Sequence, residues 1–155
     1  MSVDQVQEFA LAVKAAFREI ERRSNEAMRP LGITVAQAEA ILIIGEREPM
    51  ALKELGEQII AESGHPSRLV DRMVEAGLVQ RRIPPDNRRR VELTLTPRGR
   101  ELTGPILEVL REVLTWAGGA LTGQDLPAAL AALHAVLRDS PLAAVIANQR
   151  QTPRQ

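Results

Sequence analysis

Apolar residues recur at helical spacing from the start of the chain. Val6, Phe9, Val13, Phe17 and Ile20 lie three or four apart, the period of one helix face. This first helix is predicted to end at Arg29-Pro30, because a residue before proline avoids the helical region, and Gly32 reinforces the break. Thr34, with Gln37 three residues on, is a capping box that opens a second helix. Its inward positions are Ala38, Ile41, Leu42 and either Ile44 or Gly45. "REPM" is a short connection with its turn at Pro49, and "ALKELGEQII" a third helix facing inward through Leu52, Leu55 and Ile59. After "AESG", Ser63 is a natural N-cap for a fourth helix. Pro66 is predicted at its third position, where a missing N–H is tolerated, and Gly77 is its terminal glycine.

The period then changes from 3.6 to 2. "LVQRRI" and "RVELTL" alternate like strands, with Val91, Leu93 and Leu95 on one face, and "PPDNRRR" between them forms a charged hairpin tip. Thr96-Pro97 supplies a cap and an N-terminal proline for a fifth helix. That helix is predicted to run unbroken to Gly118-Gly119, with Ile106, Leu107, Leu110, Val113 and Leu114 inward. Thr122, with Asp125 three residues later, caps a sixth helix bearing Leu126, Leu130, Leu133 and Leu137. Pro141 halts it, "LAAVIANQ" adds a turn or two, and residues 148–155 are expected to be disordered. A short helix, a four-residue turn, a second helix and a hairpin make a winged helix-turn-helix. The fold class is mainly α with a small β-hairpin wing. Residues 31–96 form the winged lobe, and residues 1–30 and 97–147 a helical region suited to dimerisation.

Composition narrows the chemistry. The length of 155 residues allows one domain or slightly less than two. Aromatics make up 2%, so the core is aliphatic, which suits packed helices better than a sandwich or barrel. With no cysteine, disulfides, thiolate nucleophiles and zinc–cysteine sites are excluded. No basic-then-apolar start appears and no apolar run approaches the ~18 residues of a membrane span, so a soluble, cytoplasmic protein without membrane contact is expected. No Ser-His-Asp neighbourhood, phosphate loop, nucleotide fingerprint or HExxH pattern is present. Neither an enzyme nor a cofactor is expected. The two histidines, His65 and His134, lie 69 positions apart and do not suggest a metal site.

Net charge is zero, but its distribution is not even. Residues 68–100 hold nine arginines against four acids, a balance of +5, while residues 1–67 balance to −4 and residues 101–155 to −1. Arginine makes planar, forked contacts with phosphates and with guanine edges. In a helix-turn-helix the second helix enters the DNA major groove N-terminal end first. Here that end reads Ser63, Gly64, His65, Pro66, Ser67, Arg68, and His65, Arg68 and Arg72 share one face. Leu69, Val70, Met73 and Val74 occupy the other. Arg68 is expected to read DNA. Arg72 is divided between DNA and an ion pair with Asp71 or Glu75, and His65 between DNA and a surface role. Arg88, Arg89 and Arg90 form the hairpin tip, where side chains alternate faces. Arg88 or Arg89 is expected in an A·T-rich minor groove, with one of the three pairing with Asp86 or folding back. Lys53, in the first turn of the preceding helix, is a candidate phosphate clamp.

"SRLVDRMVEAGLVQRR" followed by "NRRRVELTLTPRGREL" resembles the MarR family of transcriptional regulators, in motif detail over residues 31–102 and in helix order over the whole chain. The family's acid-x-Arg wing element falls on Asn87 and Arg89 if "LTP" is held in register, and on Asp86 and Arg88 if the wing is one residue longer. Ile60-Ala61 stands where a turn glycine is common. The resemblance implies a triangular homodimer whose terminal helices interlock. It implies two winged motifs on the half-sites of a palindromic double-stranded DNA operator, and a small-molecule effector pocket between dimer helices and winged lobe. The pocket's residues are not assigned by the sequence. A repressor is favoured because blocking a promoter needs fewer additional contacts than activation. The alternative is a winged-helix module that binds protein, whose recognition face would be neutral or apolar.

Overall fold

The computed structural model describes residues 2–60, 65–87 and 89–151. Helix α1, Val3–Met28, starts from a Ser2–Gln5 capping box. A 3₁₀ turn, Arg29–Leu31, ends on Gly32 at φ 70°, a conformation that glycine adopts without strain. Helix α2, Val35–Arg47, begins with the predicted Thr34–Gln37 capping box and is the central beam. Ala36, Ala38 and the run Ala40 to Ile44 are all buried in it.

Met50–Ala51 then forms a strand, β1, where the sequence indicates only a connection. Two residues carry no periodicity, and their partner lies some forty residues on. Helix α3, Leu52–Gly56, is shorter than predicted and ends in a turn that still buries Ile59. Helix α4, Pro66–Glu75, follows. Strands β2, Val79–Arg82, and β3, Glu92–Leu95, form the hairpin, and the sheet order is β1-β3-β2, antiparallel throughout. Leu93 and Leu95 point into the core as expected.

The fifth predicted helix is two. Helix α5, Pro97–Glu101, stops at Leu102, and α6 runs Thr103–Ala120. The cause is Pro105, which has no N–H for the Glu101 carbonyl and whose ring would clash with it. It therefore sits in the first turn of a new helix. Ile106 is buried, but Leu114, predicted inward, is 69% exposed. Helix α7, Leu126–Leu137, is capped by Asp125, whose carboxylate accepts from the Ala128 N–H. Thr122 is not part of that cap: its hydroxyl donates to the Gly118 carbonyl. Helix α8, Pro141–Gln151, corrects the expectation of disorder from residue 148. Pro141 starts a helix here instead of ending one, since an N-terminal proline gives up only an orphan N–H. Residues 152–155 of that expected tail lie outside the described residues.

One aliphatic core joins Met28, α2, Leu55, Ile59, Leu69, Val70, Met73, the sheet and Ile106. Helix α1 packs on α6, and the Arg23 guanidinium lies 4.2 Å from the Trp116 ring centroid, a cation–π contact between them. Much of the outer apolar surface has no cover among the described residues. Phe17, Ile20, Leu114, Leu126, Leu130 and Val136 are all exposed. No single helix among the described residues is long and apolar enough to cross a membrane.

The "LTPRG" segment staples the core to the end of α4. The Thr96 hydroxyl donates to the Gly77 carbonyl at 2.6 Å and accepts from Gly99 N–H at 3.0 Å, while Thr96 N–H donates to the Leu78 carbonyl at 3.1 Å. Gly99 is the tightest point, because a Cβ there would lie 2.1 Å from the Leu78 carbonyl oxygen. Beside it, Glu48 accepts from Leu95 N–H at 2.7 Å and pairs with the Arg100 guanidinium. Burial works against ionisation of Glu48, but the Arg100 and Leu95 hydrogen bonds outweigh it and hold its carboxyl below the ordinary range.

Gly99→Ala should lose about 3 kcal/mol or more in urea unfolding, because backbone has to shift rather than a flexible side chain. A loss under about 0.5 kcal/mol would mean that the close approach is unimportant. Glu48→Gln should cost about 1–2 kcal/mol near neutral pH. With a lowered folded pKa, the Glu48 contribution is complete above the ordinary carboxyl range near ~4.3 and disappears as pH falls through the folded value. The stability gap between the two proteins should therefore narrow below about pH 4.3, and a gap that stays constant would contradict the pairing.

Candidate nucleic-acid interface

Helix α4 is strongly two-sided. Leu69, Val70 and Met73 are completely buried, and that burial turns Ser67, Arg68, Asp71, Arg72 and Glu75 to solvent. At about 1.5–3 kcal/mol for each buried side chain, the apolar stripe fixes the helix's rotation. Val74, predicted with the inner face, is 38% exposed. Pro66 is the first helical residue and not the third, and His65 is the N-cap residue without a side-chain cap bond. Pro66 is also turned partly inward. A Cβ on Gly56 would lie 3.1 Å from its Cγ, so the absence of a side chain at Gly56 makes room for the proline ring. Ser63, the expected N-cap, lies outside the described residues.

Arg68 is exposed and, among the described residues, has no ion-pair partner. The sequence offers Asp71 as a partner for Arg72. The structure gives it instead to Arg81 on β2, whose Nη2 lies 2.6 Å from Asp71 Oδ1 and 3.5 Å from the Ser67 carbonyl. This pair is worth little as stability on a solvated surface. Its effect is electrostatic and geometric: it offsets an acid on the basic face and joins the wing's root to α4. The sequence does not show that Arg81 pairs with Asp71. Only the register of a strand against a helix reveals it.

The wing is built around Pro84, which is buried, and Asn87. Asn87 N–H donates to the Pro84 carbonyl at 3.2 Å, and its own carbonyl accepts from Arg90 N–H at 3.0 Å. The Asn87 side-chain oxygen accepts from Arg89 N–H at 3.2 Å, so a local turn joins the two positions of one wing register. Arg89 and Arg90 are exposed, and Arg90 Nε lies 3.4 Å from Glu92. Among the described residues, the acid near the tip that engages an arginine is Glu92. Arg88 lies outside the described residues. Lys53, 88% exposed and 3.9 Å from Glu57, lines the same cleft as Asn87, Arg89 and Arg90. Lys53 and the wing, remote in sequence, are therefore adjacent. Arg82 on β2 adds an exposed guanidinium.

An arginine-bearing helix end, a basic wing tied to it and a lysine beside the wing make a cationic surface with two projections. The MarR family model matches residues 33–91, the span from α2 to the end of the wing. Over that span this chain is similar to the MarR family. A Bacillus subtilis organic hydroperoxide resistance transcriptional regulator is 28% identical over 79% of this chain and 82% of its own length. The transcriptional regulator TtmR of Methylorubrum extorquens is 28% identical over 77% of this chain and 58% of its own. Among solved structures, an E. coli MarR variant complexed with operator DNA superposes with a TM-score of 0.75 at 22% identity, covering 88% of this chain and 99% of that one. The repressor CouR bound to a DNA duplex gives a TM-score of 0.69 at 21% identity, covering 89% and 98%. The two curated relatives are named as transcriptional regulators, and the two solved structures share this chain's fold.

Proposed function

We propose that this protein is a MarR-type regulator: a cytoplasmic homodimeric repressor that reads a palindromic double-stranded DNA operator and is released by a small-molecule effector. The observation that carries the reading is the rotation of α4. Its apolar stripe is locked in the core, so Arg68 projects from the N-terminal end with no ion-pair partner among the described residues. A helix fits the B-DNA major groove, ~12 Å wide, and enters by that end. Arg68 is assigned to a base edge, with Ser67, His65 and Arg72 beside it on the groove-facing side. Pro66 serves to start and seat the helix. The turn joining Asn87 to Arg89 favours Arg89 for the minor groove, with Arg88 and Arg90 along the flanking phosphates. Lys53 clamps the backbone next to the wing.

Two copies are needed because one winged module buries only ~600–1,000 Å² on DNA. The uncovered apolar faces of α1, α6 and α7 are where a second copy belongs, which makes residues 1–30 and 97–147 the dimerising region and residues 31–96 the DNA-binding lobe. An effector that prefers another spacing of the two lobes depletes the binding form. The B. subtilis relative is named for organic hydroperoxide resistance. This sequence has no cysteine, so a thiol-oxidation signal has nothing to act on here, and a bound ligand is the release signal.

Arg68→Ala should weaken binding to a selected operator by about 1–3 kcal/mol and relax preference at one base position per half-site. Equal weakening on every duplex would make Arg68 a phosphate contact. Replacing Arg88, Arg89 and Arg90 together by Ala should flatten the log–log dependence of affinity on salt by ~0.9 for each phosphate that is no longer neutralised. A slope that does not move would remove the wing from the interface.

A further inference from the structure

The C-terminal helix reaches back to the segment that leads into α4. Gln149 Nε2 donates to Glu39 Oε1 at 2.9 Å and to the Gln58 carbonyl at 2.8 Å. The same Glu39 oxygen accepts the Ile60 N–H at 3.0 Å. A primary amide has two donor hydrogens, and here each goes to a different acceptor. Gln58 and Ile60 lie just beyond α3: the Gln58 and Ile59 N–H groups still donate to the Leu55 carbonyl, while the Gln58 carbonyl and the Ile60 N–H are met by side chains. Between them Ile59 is fully buried. Residues 58–60 are therefore held from three sides: by the core through Ile59, by α2 through Glu39 and by α8 through Gln149.

Helix α8 is otherwise mostly exposed or partly buried. Val145 is its one buried residue among those described, and a cleft of about 550 Å³ separates α3 from α8, lined by Gly56, Glu57, Leu142 and Asn148 among others. The two Gln149 hydrogen bonds are a direct polar tie between α8 and the lobe.

We propose that Gln149 is a positioning residue that couples the C-terminal helix to the DNA-reading helix. It sets the placement of residues 58–60, and through them the presentation of α4. A shift of α7 and α8 relative to the lobe breaks the tie and loosens residues 58–60. The coupling to DNA rests on the function proposed above; the tie itself does not.

The test uses the full chain and three variants: Gln149→Ala, Gln149→Glu, and the exchanged pair Glu39→Gln with Gln149→Glu. In the free protein, amide hydrogen exchange at Ile60 should quicken about tenfold in Gln149→Ala, the loss of two ordinary hydrogen bonds. It should quicken further in Gln149→Glu, where a carboxylate faces another carboxylate and a carbonyl. The exchanged pair restores an amide–carboxylate bond and should recover part of the protection. Amides of β2 and β3 should stay protected throughout, and sedimentation should show an unchanged association state. The ratio of affinity for a duplex selected from random sequence to that for an unselected duplex should fall about tenfold in Gln149→Ala. Unchanged exchange at Ile60 would overturn the tie, and so would exchange raised equally in the sheet, since that reports only a loosened fold. Faster exchange at Ile60 with an unchanged affinity ratio would overturn the coupling. Failure of the wild-type chain to bind any duplex would count against the DNA-binding reading, leaving the exchange result to judge the tie.

Discussion

The burial of Leu69, Val70 and Met73 is the constraint on which the working surface depends. A helix turns about 100° per residue. Once these three positions are committed to the core, the direction of Arg68 is no longer adjustable. The opposite rotation would bury a guanidinium in an aliphatic interior, at a cost that no local gain offsets. The rest of the lobe supports this commitment. Helix α2 supplies the wall of small and branched side chains, Gly56 admits the ring of Pro66 at the front of α4, and Thr96 and Gly99 close on the backbone at its back. Front and back are held by backbone-scale fits, which tolerate little drift.

Charge is arranged around that rigid element with equal economy. The basic segment also carries acids, and the structure turns two of them to use. Asp71 accepts Arg81 and links α4 to β2, and Glu92 accepts Arg90 at the base of the wing. Arg68 and Arg89 are left outward without ion pairs among the described residues. A zero net charge is therefore compatible with a locally cationic face, because most of the acidic excess lies in residues 1–67.

What the sequence discloses and what it hides divide along a physical line. Local signals are legible. The Thr34–Gln37 box, the glycines at 32 and 77, the Thr96–Pro97 start, the stripe of α4 and the alternation of β3 each depend on residues a few positions apart. Features hidden from the sequence depend on distant partners. β1 exists only because Met50 pairs with Leu93, Asp71 is paired only because β2 returns beside α4, and Gly99 is required by the Leu78 carbonyl. Prolines are the other difficulty. Pro66, Pro105 and Pro141 all sit in first turns, yet the sequence pattern marks only Pro66 as part of a helix start, and there two positions late. Among the candidate site residues, Arg68 is legible because amphipathicity orients it. The nearness of Lys53 to Arg89 is not.

The absence of cysteine makes one direct measurement clean. A single cysteine introduced as Arg68→Cys and carrying a DNA-cleaving iron chelate would report where the front of α4 lies on a selected operator. Two cleavage clusters are expected, symmetric about the operator centre and about one helical turn apart, ~10–10.5 base pairs. Cleavage spread evenly along the duplex, or confined to one locus without a symmetric mate, would contradict a dimer that presents α4 to the major groove.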